Sequence, residues 1–252
     1  MLAFKLKICY NKNKSYPRAM NPQPFDIKKE LLKNEFRVSI FGSARVKEED
    51  PVYWDVYNLA RAVGAMGVDV VTGGGPGLME AASTGHGAGD KKNQAHSIGI
   101  NIVLPFEQKA NPGLEYVENH ERFSTRLDEF MLLSNVVVVT PGGIGTCLEL
   151  FYTWQLIQVK HLCQMPIILV GKMWRKLIEW VIDNPVKDHY MDAKDLHSIV
   201  IVDNWKQAVK VIKKAKKEFD EGSLDACHNW QVYGKKIKKL RGLVEEEERK
   251  RK

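Results

Sequence analysis

The sequence lacks long uninterrupted runs of apolar residues. No stretch approaches the ~20 consecutive apolar residues that a membrane-spanning helix requires. Near the N-terminus, Lys5, Lys7 and Asn11 interrupt the apolar residues, so this segment lacks the apolar core of a signal peptide. We therefore expect no membrane association.

Cysteine is also scarce, and its positions show no CxxC spacing: Cys9, Cys147, Cys163 and Cys227. This scatter predicts neither a disulfide framework nor a zinc site, and it favours a cytoplasmic location. Three histidines could be assembled into a metal site on paper, but they lie on different predicted loops without ligand spacing: His86, His96 and His120. We therefore predict no metal ligands and no cofactor.

Two common phosphate-binding motifs are absent. The first predicted strand is followed by FGSARV, which has no GxGxxG, and Leu78 stands where the second glycine turn would need its last glycine. A GxxxxGK[ST] motif is also missing. These absences exclude the dinucleotide fingerprint and the P-loop hydrolases.

The formal net charge is +7, but much of the excess lies in lysine-rich segments such as Lys206–Lys217 and Lys235–Lys252. The last of these alternates blocks of both signs, which is typical of a solvated helix. We therefore do not expect nucleic acid to be the partner. A positive excess also suits small phosphorylated substrates.

Strand and helix patterns alternate along the chain. The predicted strands are 37–41, 68–71, 97–104, 136–139, 166–170 and 199–202, and residues 105–119 are predicted as a polar connection. This alternation predicts an α/β fold, doubly wound, with a mostly parallel Rossmann-like sheet and helices on both faces. We divide the chain into an N-terminal extension (1–35), a Rossmann-like domain (36–220) and a charged, helical C-terminal extension (221–252).

Three loops leave predicted strands at the carboxyl edge of the sheet, where open parallel sheets bind ligands. Two of them are glycine turns that open helices, with Pro76 suited to the first turn of its helix. Helix N-termini and unpaired backbone N–H groups favour phosphate. The residues predicted to bind a phosphorylated ligand there are Gly42, Ser43, Gly74, Gly75, Gly77, Met79, Gly142, Gly143, Ile144, Gly145 and Thr146.

Charged side chains reach the same edge. Glu149 lies one turn into the helix that follows the Pro141–Gly145 turn. Arg122 and Arg126 lie one turn apart at the start of the preceding helix, and spacing alone leaves either of them as the partner of Glu149.

The paired motifs GGGPGLMEA (Gly73–Ala81) and PGGIGTCLE (Pro141–Glu149) resemble the LOG family of nucleoside 5′-monophosphate phosphoribohydrolases, whose bacterial relatives are often labelled possible lysine decarboxylases. The family arginine, fifteen residues before the motif proline, corresponds to Arg126. Two positions depart from the family pattern, since Leu127 replaces a lysine and Leu148 an acidic residue of plant members.

The resemblance implies hydrolysis of an AMP-like nucleotide to a free base and ribose 5-phosphate. It also implies that Glu149 and Arg126 are catalytic and that the protein is a homodimer or larger. Apolar residues on more than one face of the last motif's helix independently suggest a dimer: Trp154, Leu156, Ile157 and Val159. Neither glycine motif contains the lysine that a decarboxylase of the pyridoxal-phosphate type needs.

Two other functions stay open at this point. One is a non-catalytic nucleotide or molybdenum-cofactor carrier on the same fold. The other is a nucleotide-responsive regulator that residues 1–35 and 220–252 gate. A carrier needs only a phosphate cradle, so the presence of both Arg126 and Glu149 favours the enzyme.

Overall fold

The computed structural model of the 252-residue chain describes residues 22–31, 33, 35–104 and 110–222. Within these ranges the strands are β1 (Gln23–Pro24), β2 (Arg37–Phe41), β3 (Asp69–Thr72), β4 (Ser97–Ile102), β5 (Tyr116–His120), β6 (Val136–Val139), β7 (Ile167–Val170) and β8 (Ile199–Val202). The α-helices are α1 (Ile27–Glu30), α2 (Pro51–Gly64), α3 (Leu78–Gly89), α4 (Phe123–Leu133), α5 (Ile144–Gln158), α6 (Met173–Val181) and α7 (Trp205–Asp220). A π-helical turn (Ile182–Val186) and a 3₁₀ turn (Ala193–Leu196) connect α6 to β8.

The eight strands form one sheet in the order β1-β5-β4-β3-β2-β6-β7-β8, and every neighbouring pair is parallel. The predicted doubly wound α/β fold is confirmed. The chain winds outward from β2 to β5 and then returns to place β6 beside β2, with Val38 opposite Val136. The strand order therefore reverses between β2 and β6, and ligands of such sheets bind at the carboxyl side of this point.

The valines of β6 explain why this strand lies at the centre. Side chains alternate between the faces of a strand. Val136 and Val138 pack in the core that includes residues of α2, α3 and α7. Val137 and Val139 pack in the opposite core, with residues of α4, α5 and α6. Because both faces are covered, β6 needs apolar residues at every position, each contributing about 1.5–3 kcal/mol when fully buried.

A close contact between α2 and α3 fixes how α3 approaches the sheet. A Cβ atom at Gly85 would lie 2.2 Å from the carbonyl oxygen of Tyr57. Only glycine allows the two backbones to approach this closely. This packing holds α3 so that its N-terminus lies at the carboxyl edge of the sheet.

Two details differ from the sequence predictions. The polar connection predicted over residues 105–119 includes four of the five residues of β5, which pairs with β4 in the register Gly99↔Val117. Four of its five residues are only half-buried, so polar side chains are tolerated there. Helix α3 begins at Leu78, so Pro76 precedes the helix and does not lie in its first turn.

The structure describes only parts of the two predicted extensions. Gln23 and Pro24 pair with β5 and add a strand to the sheet. The charged helix predicted from residue 229 lies outside the described residues. Cys147 is a free thiol, whereas Cys163 is disulfide-bonded, so the expectation that the cysteines form no disulfide is wrong at Cys163. None of the described helices is both long and apolar enough to cross a membrane.

Candidate active site

The N-terminus of α5 faces the point where the strand order reverses. Just before it, the Thr140 hydroxyl donates a hydrogen bond of 2.8 Å to the Phe41 carbonyl, and the Ser43 N–H donates one of 3.1 Å to the Pro141 carbonyl. These bonds join the loops that follow β2 and β6. The N-cap of α5 is Gly143, which has no side chain to cap the first-turn N–H groups. Those donors and the positive end of the helix dipole favour an anion.

The second glycine turn follows β3 and is held by buried polar contacts. Gly74 has φ +71°, and a Cβ there would lie 1.7 Å from Asn101 Oδ1, so both backbone conformation and space require glycine. Asn111 donates from Nδ2 to the Gly75 carbonyl at 2.9 Å and from its backbone N–H to the Gly74 carbonyl at 2.9 Å. Asn111 was not predicted from the sequence. Its place in an Asn-Pro-Gly turn, with the Gly113 N–H donating to Asn111 Oδ1, is the signal that could have indicated it.

Arg126 and Glu149 meet between these turns. Arg126 Nη1 lies 3.2 Å from Glu149 Oε1, and Nε donates to the Ile100 carbonyl at 2.8 Å. The guanidinium carbon also lies 5.1 Å from the centroid of the Phe130 ring. These contacts leave the guanidinium little freedom, so Glu149 has a fixed cationic neighbour.

Burial changes the acidity of both partners. Glu149 is 8% exposed, and its burial raises its pKa from 4.5 to about 7, against the opposing effect of Arg126. Burial also lowers the pKa of Arg126, while Glu149 opposes that shift. Both directions indicate that the loss of hydration outweighs the attraction between the two charges. Glu149 therefore titrates near neutral pH, as suits a group that accepts a proton during a reaction.

A cavity of about 580 Å³ opens over this pair. This volume is in the range of small-ligand sites. The predicted residues that line it are Gly42, Ser43, Gly75, Met79, Arg126, Gly143, Ile144, Gly145, Thr146 and Glu149. Gly74, Gly77 and Gly142 shape the surrounding turns but are not among the lining residues.

The structure distinguishes between the two candidate arginines by position. Arg122 is the exposed N-cap of α4, whereas Arg126 is 7% exposed and contacts Glu149. The sequence reasoning missed Ile102 and Leu104, which also line the cavity. The rule that ligands bind at the carboxyl ends of the strands could have indicated them, because they lie at or just beyond the carboxyl end of β4. Arg45, in a loop predicted to reach the site, lines the cavity as well.

Comparison with known proteins identifies the family. A family model described as "possible lysine decarboxylase" matches residues 79–212, more than half of the chain. The chain belongs to this family, the LOG family. The matched range includes Arg126 and Glu149 and begins at Met79, within the first of the two glycine motifs.

A curated relative is the pyrimidine/purine nucleotide 5′-monophosphate nucleosidase of Escherichia coli strain K12, which is 24% identical over 206 residues. The alignment covers 77% of this chain but 45% of the relative. The chain thus spans less than half the length of the curated relatives it matches.

Solved structures share the fold of this LOG-family chain. The molybdenum cofactor binding protein of Rippkaea orientalis has a TM-score of 0.53 at 18% identity, covering 71% of this chain and 96% of that one. The molybdenum cofactor carrier protein of Chlamydomonas reinhardtii has a TM-score of 0.50 at 19% identity, covering 73% and 99%. At these identities the likeness shows the fold alone.

Proposed function

We propose that this protein hydrolyses the N-glycosidic bond of a nucleoside 5′-monophosphate, with AMP as the first-choice substrate. The observation that carries the proposal is the buried Arg126–Glu149 pair beside an uncapped helix N-terminus within one cavity. Membership of the LOG family and the similarity to a nucleotide nucleosidase support it.

The 5′-phosphate lies, in this proposal, on the N–H groups of the first turn of α5. Gly143, Ile144 and Gly145 line the cavity there, and a helix N-terminus is a natural phosphate site. Arg45 adds a positive charge at the cavity wall. The ribose then extends toward Glu149, which lies one turn further along α5.

Glu149 acts on the ribose carbon that carries the base. As the C1′–N bond breaks, its electron pair leaves with the base and positive charge develops on the ribose. The carboxylate stabilises this charge, as in glycoside hydrolysis. A water oxygen then bonds to C1′ and its proton passes to Glu149. The base nitrogen takes up a proton from the solvent, and Glu149 later returns its own proton to the solvent, so the protons balance. Arg126 fixes the orientation of the carboxylate through the 3.2 Å contact.

A non-catalytic nucleotide or molybdenum-cofactor binding protein is the alternative function. The two cofactor-binding neighbours share the fold of this chain. A binding protein of this kind has no need for a buried carboxylate with a pKa near 7 beside the ligand. Decarboxylation, which the family description mentions, is disfavoured because neither glycine motif supplies a lysine for a Schiff base.

The test is incubation of the purified protein with AMP, GMP, CMP, IMP and isopentenyl-AMP, with chromatography of the released base. Glu149→Gln is expected to lower turnover by more than ~10²-fold, as for other charge-stabilising groups. The matched control is Glu179→Gln, which changes an exposed carboxylate on α6. Nucleotide binding by calorimetry with no release of base from any substrate would favour the binding protein.

The proposed assembly is a homodimer or a larger homo-oligomer. Trp154 and Ile157, on which the dimer prediction partly rested, are buried within the chain. An exposed apolar stripe lies instead on another face of α5, where Ile144, Leu148 and Phe151 are 87%, 42% and 43% exposed. Their spacing of four and three residues places them on one side of the helix. A second copy of the chain is the proposed cover for this stripe.

A further inference from the structure

A second group of ionisable side chains lies outside the cavity, between β5 and α4. Glu118 and His120 are two residues apart on β5 and therefore lie on the same face of the strand. Thr125 and Glu129 are four residues apart on α4 and share one side of that helix. One oxygen of each carboxylate and one imidazole nitrogen lie within 4.8 Å of one another.

The distances suit ligands of one small ion. His120 Nε2 lies 2.7 Å from Glu129 Oε2 and 4.0 Å from Glu118 Oε1. Ligand atoms at about 2.1 Å around a tetrahedral ion lie roughly 3.4 Å apart, between these two values. A shared ion therefore requires the Glu118 carboxylate to move toward the imidazole and the Glu129 carboxylate to move slightly away from it.

The hydrogen bond on the far side of the imidazole sets its tautomer. The Thr125 hydroxyl donates to the Arg122 carbonyl at 2.9 Å, so its oxygen is left to accept from His120 Nδ1–H at 3.0 Å. Nε2 then carries a lone pair and faces the two carboxylates. Metal-bound histidines are typically oriented by such a bond from the second ring nitrogen.

Three polar atoms of the cluster are buried without a hydrogen-bond partner: Glu118 Oε2, His120 Nε2 and Glu129 Oε1. The Glu129 side chain is only 6% exposed, and that of His120 is 10% exposed. A buried set of two carboxyl groups and an imidazole is unfavourable unless a cation, either a proton or a metal ion, joins it. The Glu118 side chain, 28% exposed, leaves a path by which an ion can enter.

We propose that Glu118, His120 and Glu129 bind one divalent transition-metal ion, Zn²⁺ or Mn²⁺. A mixed set of one imidazole and two carboxylates suits these ions, because imidazole favours zinc and carboxylates favour manganese. Two carboxylates also balance the charge of the ion. Bound there, it joins the end of β5 to α4 and takes no direct part in cleavage of the glycosidic bond.

The test uses the full chain, freed of metal by a chelator and then titrated with ZnCl₂ or MnCl₂ in a calorimeter. We expect one ion per chain that is lost in Glu129→Gln and in His120→Gln, with affinity falling at least ~100-fold, since even outer-shell changes cost 10–100-fold. The matched control is His96→Gln. His96 lies 3.2 Å from Glu115 in another His–Glu pair. These two residues immediately precede β4 and β5, at the ends of the strands away from His120.

A second measurement covers variants that fold poorly. Glu118→Gln alters the most exposed ligand, and the melting temperature with and without the ion reports binding apart from calorimetry. Wild type and His96→Gln are expected to melt higher with the ion, and Glu118→Gln is not. Two results would overturn the proposal. One is wild-type protein that takes up no stoichiometric ion, and the other is binding by Glu129→Gln and His120→Gln that equals binding by wild type. In either case the cation shared by the cluster is a proton.

Discussion

The pH dependence of base release tests the role of Glu149 most directly. The rise of its pKa from 4.5 to about 7 corresponds to about 3 kcal/mol against the ionised form. Attraction to Arg126 at 3.2 Å amounts to about 5 kcal/mol at an effective dielectric constant of 20. The loss of hydration on burial must therefore exceed this attraction by a few kcal/mol.

The pH dependence of kcat/KM reports the pKa values of essential groups in the free enzyme, so kcat/KM should follow the titration of Glu149. If the carboxylate must be ionised, kcat/KM for AMP falls about tenfold per pH unit below pH 7, to about 1% of its plateau at pH 5. Stopped assays with chromatography of adenine from pH 5 to 9 measure this profile. A profile that stays flat down to pH 5 would refute the assignment, because a protonated Glu149 could then support the reaction.

The same pKa predicts an effect on stability that needs no substrate. Between about pH 4.5 and 7 the unfolded chain has lost the proton of Glu149 while the folded chain still holds it. Stability therefore falls as pH rises through this window, by up to about 3 kcal/mol from this group. Glu149→Gln should lack this contribution. The check is urea unfolding of both proteins at pH 4.5 and 8, comparing how far each changes.

Three further predictions follow from the geometry. Gly74→Ala should lower the free energy of unfolding by about 1–3 kcal/mol, because φ at this position is +71° and a Cβ would clash with Asn101. Gly87→Ala is the control, since a Cβ there meets open space, and it should raise the free energy of unfolding by up to about 1 kcal/mol. Thermal unfolding measures both. Light scattering should give the mass of the proposed dimer for wild type and that of a monomer for Phe151→Asp at the same concentration; an equal mass for both would remove α5 from the interface. Arg126→Lys should lower kcat by about 10²-fold or more in the base-release assay, because an ammonium cannot bond Ile100 and Glu149 in the same planar geometry.

The central strands were predictable because tertiary structure and local pattern agree there. The strands predicted over residues 37–41, 136–139 and 199–202 have the same bounds in the structure. In β6 both faces are buried, so the continuous valine run has one interpretation. The carboxyl-edge rule then brought the two glycine turns, Glu149 and either Arg122 or Arg126 together, and the resemblance to the LOG family selected Arg126.

The missed strand shows where such reasoning stops. β5 reads Tyr-Val-Glu-Asn-His, and three consecutive polar residues predict a loop. Their presence in a strand depends on pairing with β4 and on the half-buried place of β5 near the sheet edge, which are both tertiary. Because the strand was missed, the i, i+2 relation between Glu118 and His120 was missed with it. The histidines were compared only with one another, and the carboxylate partners of His120 were not considered.

Helix α4 connects the two sites through residues that face different neighbours. Arg126 reaches the Ile100 carbonyl of β4 and Glu149 of α5. Three residues later, Glu129 contacts His120 of β5. A shift of α4 along the sheet would therefore change both contacts at once, so any cation held at Glu129 also restricts where the guanidinium lies. Burial of Glu149 makes that restriction matter, because Arg126 is the cationic neighbour, among the described residues, that opposes the rise of the Glu149 pKa to about 7.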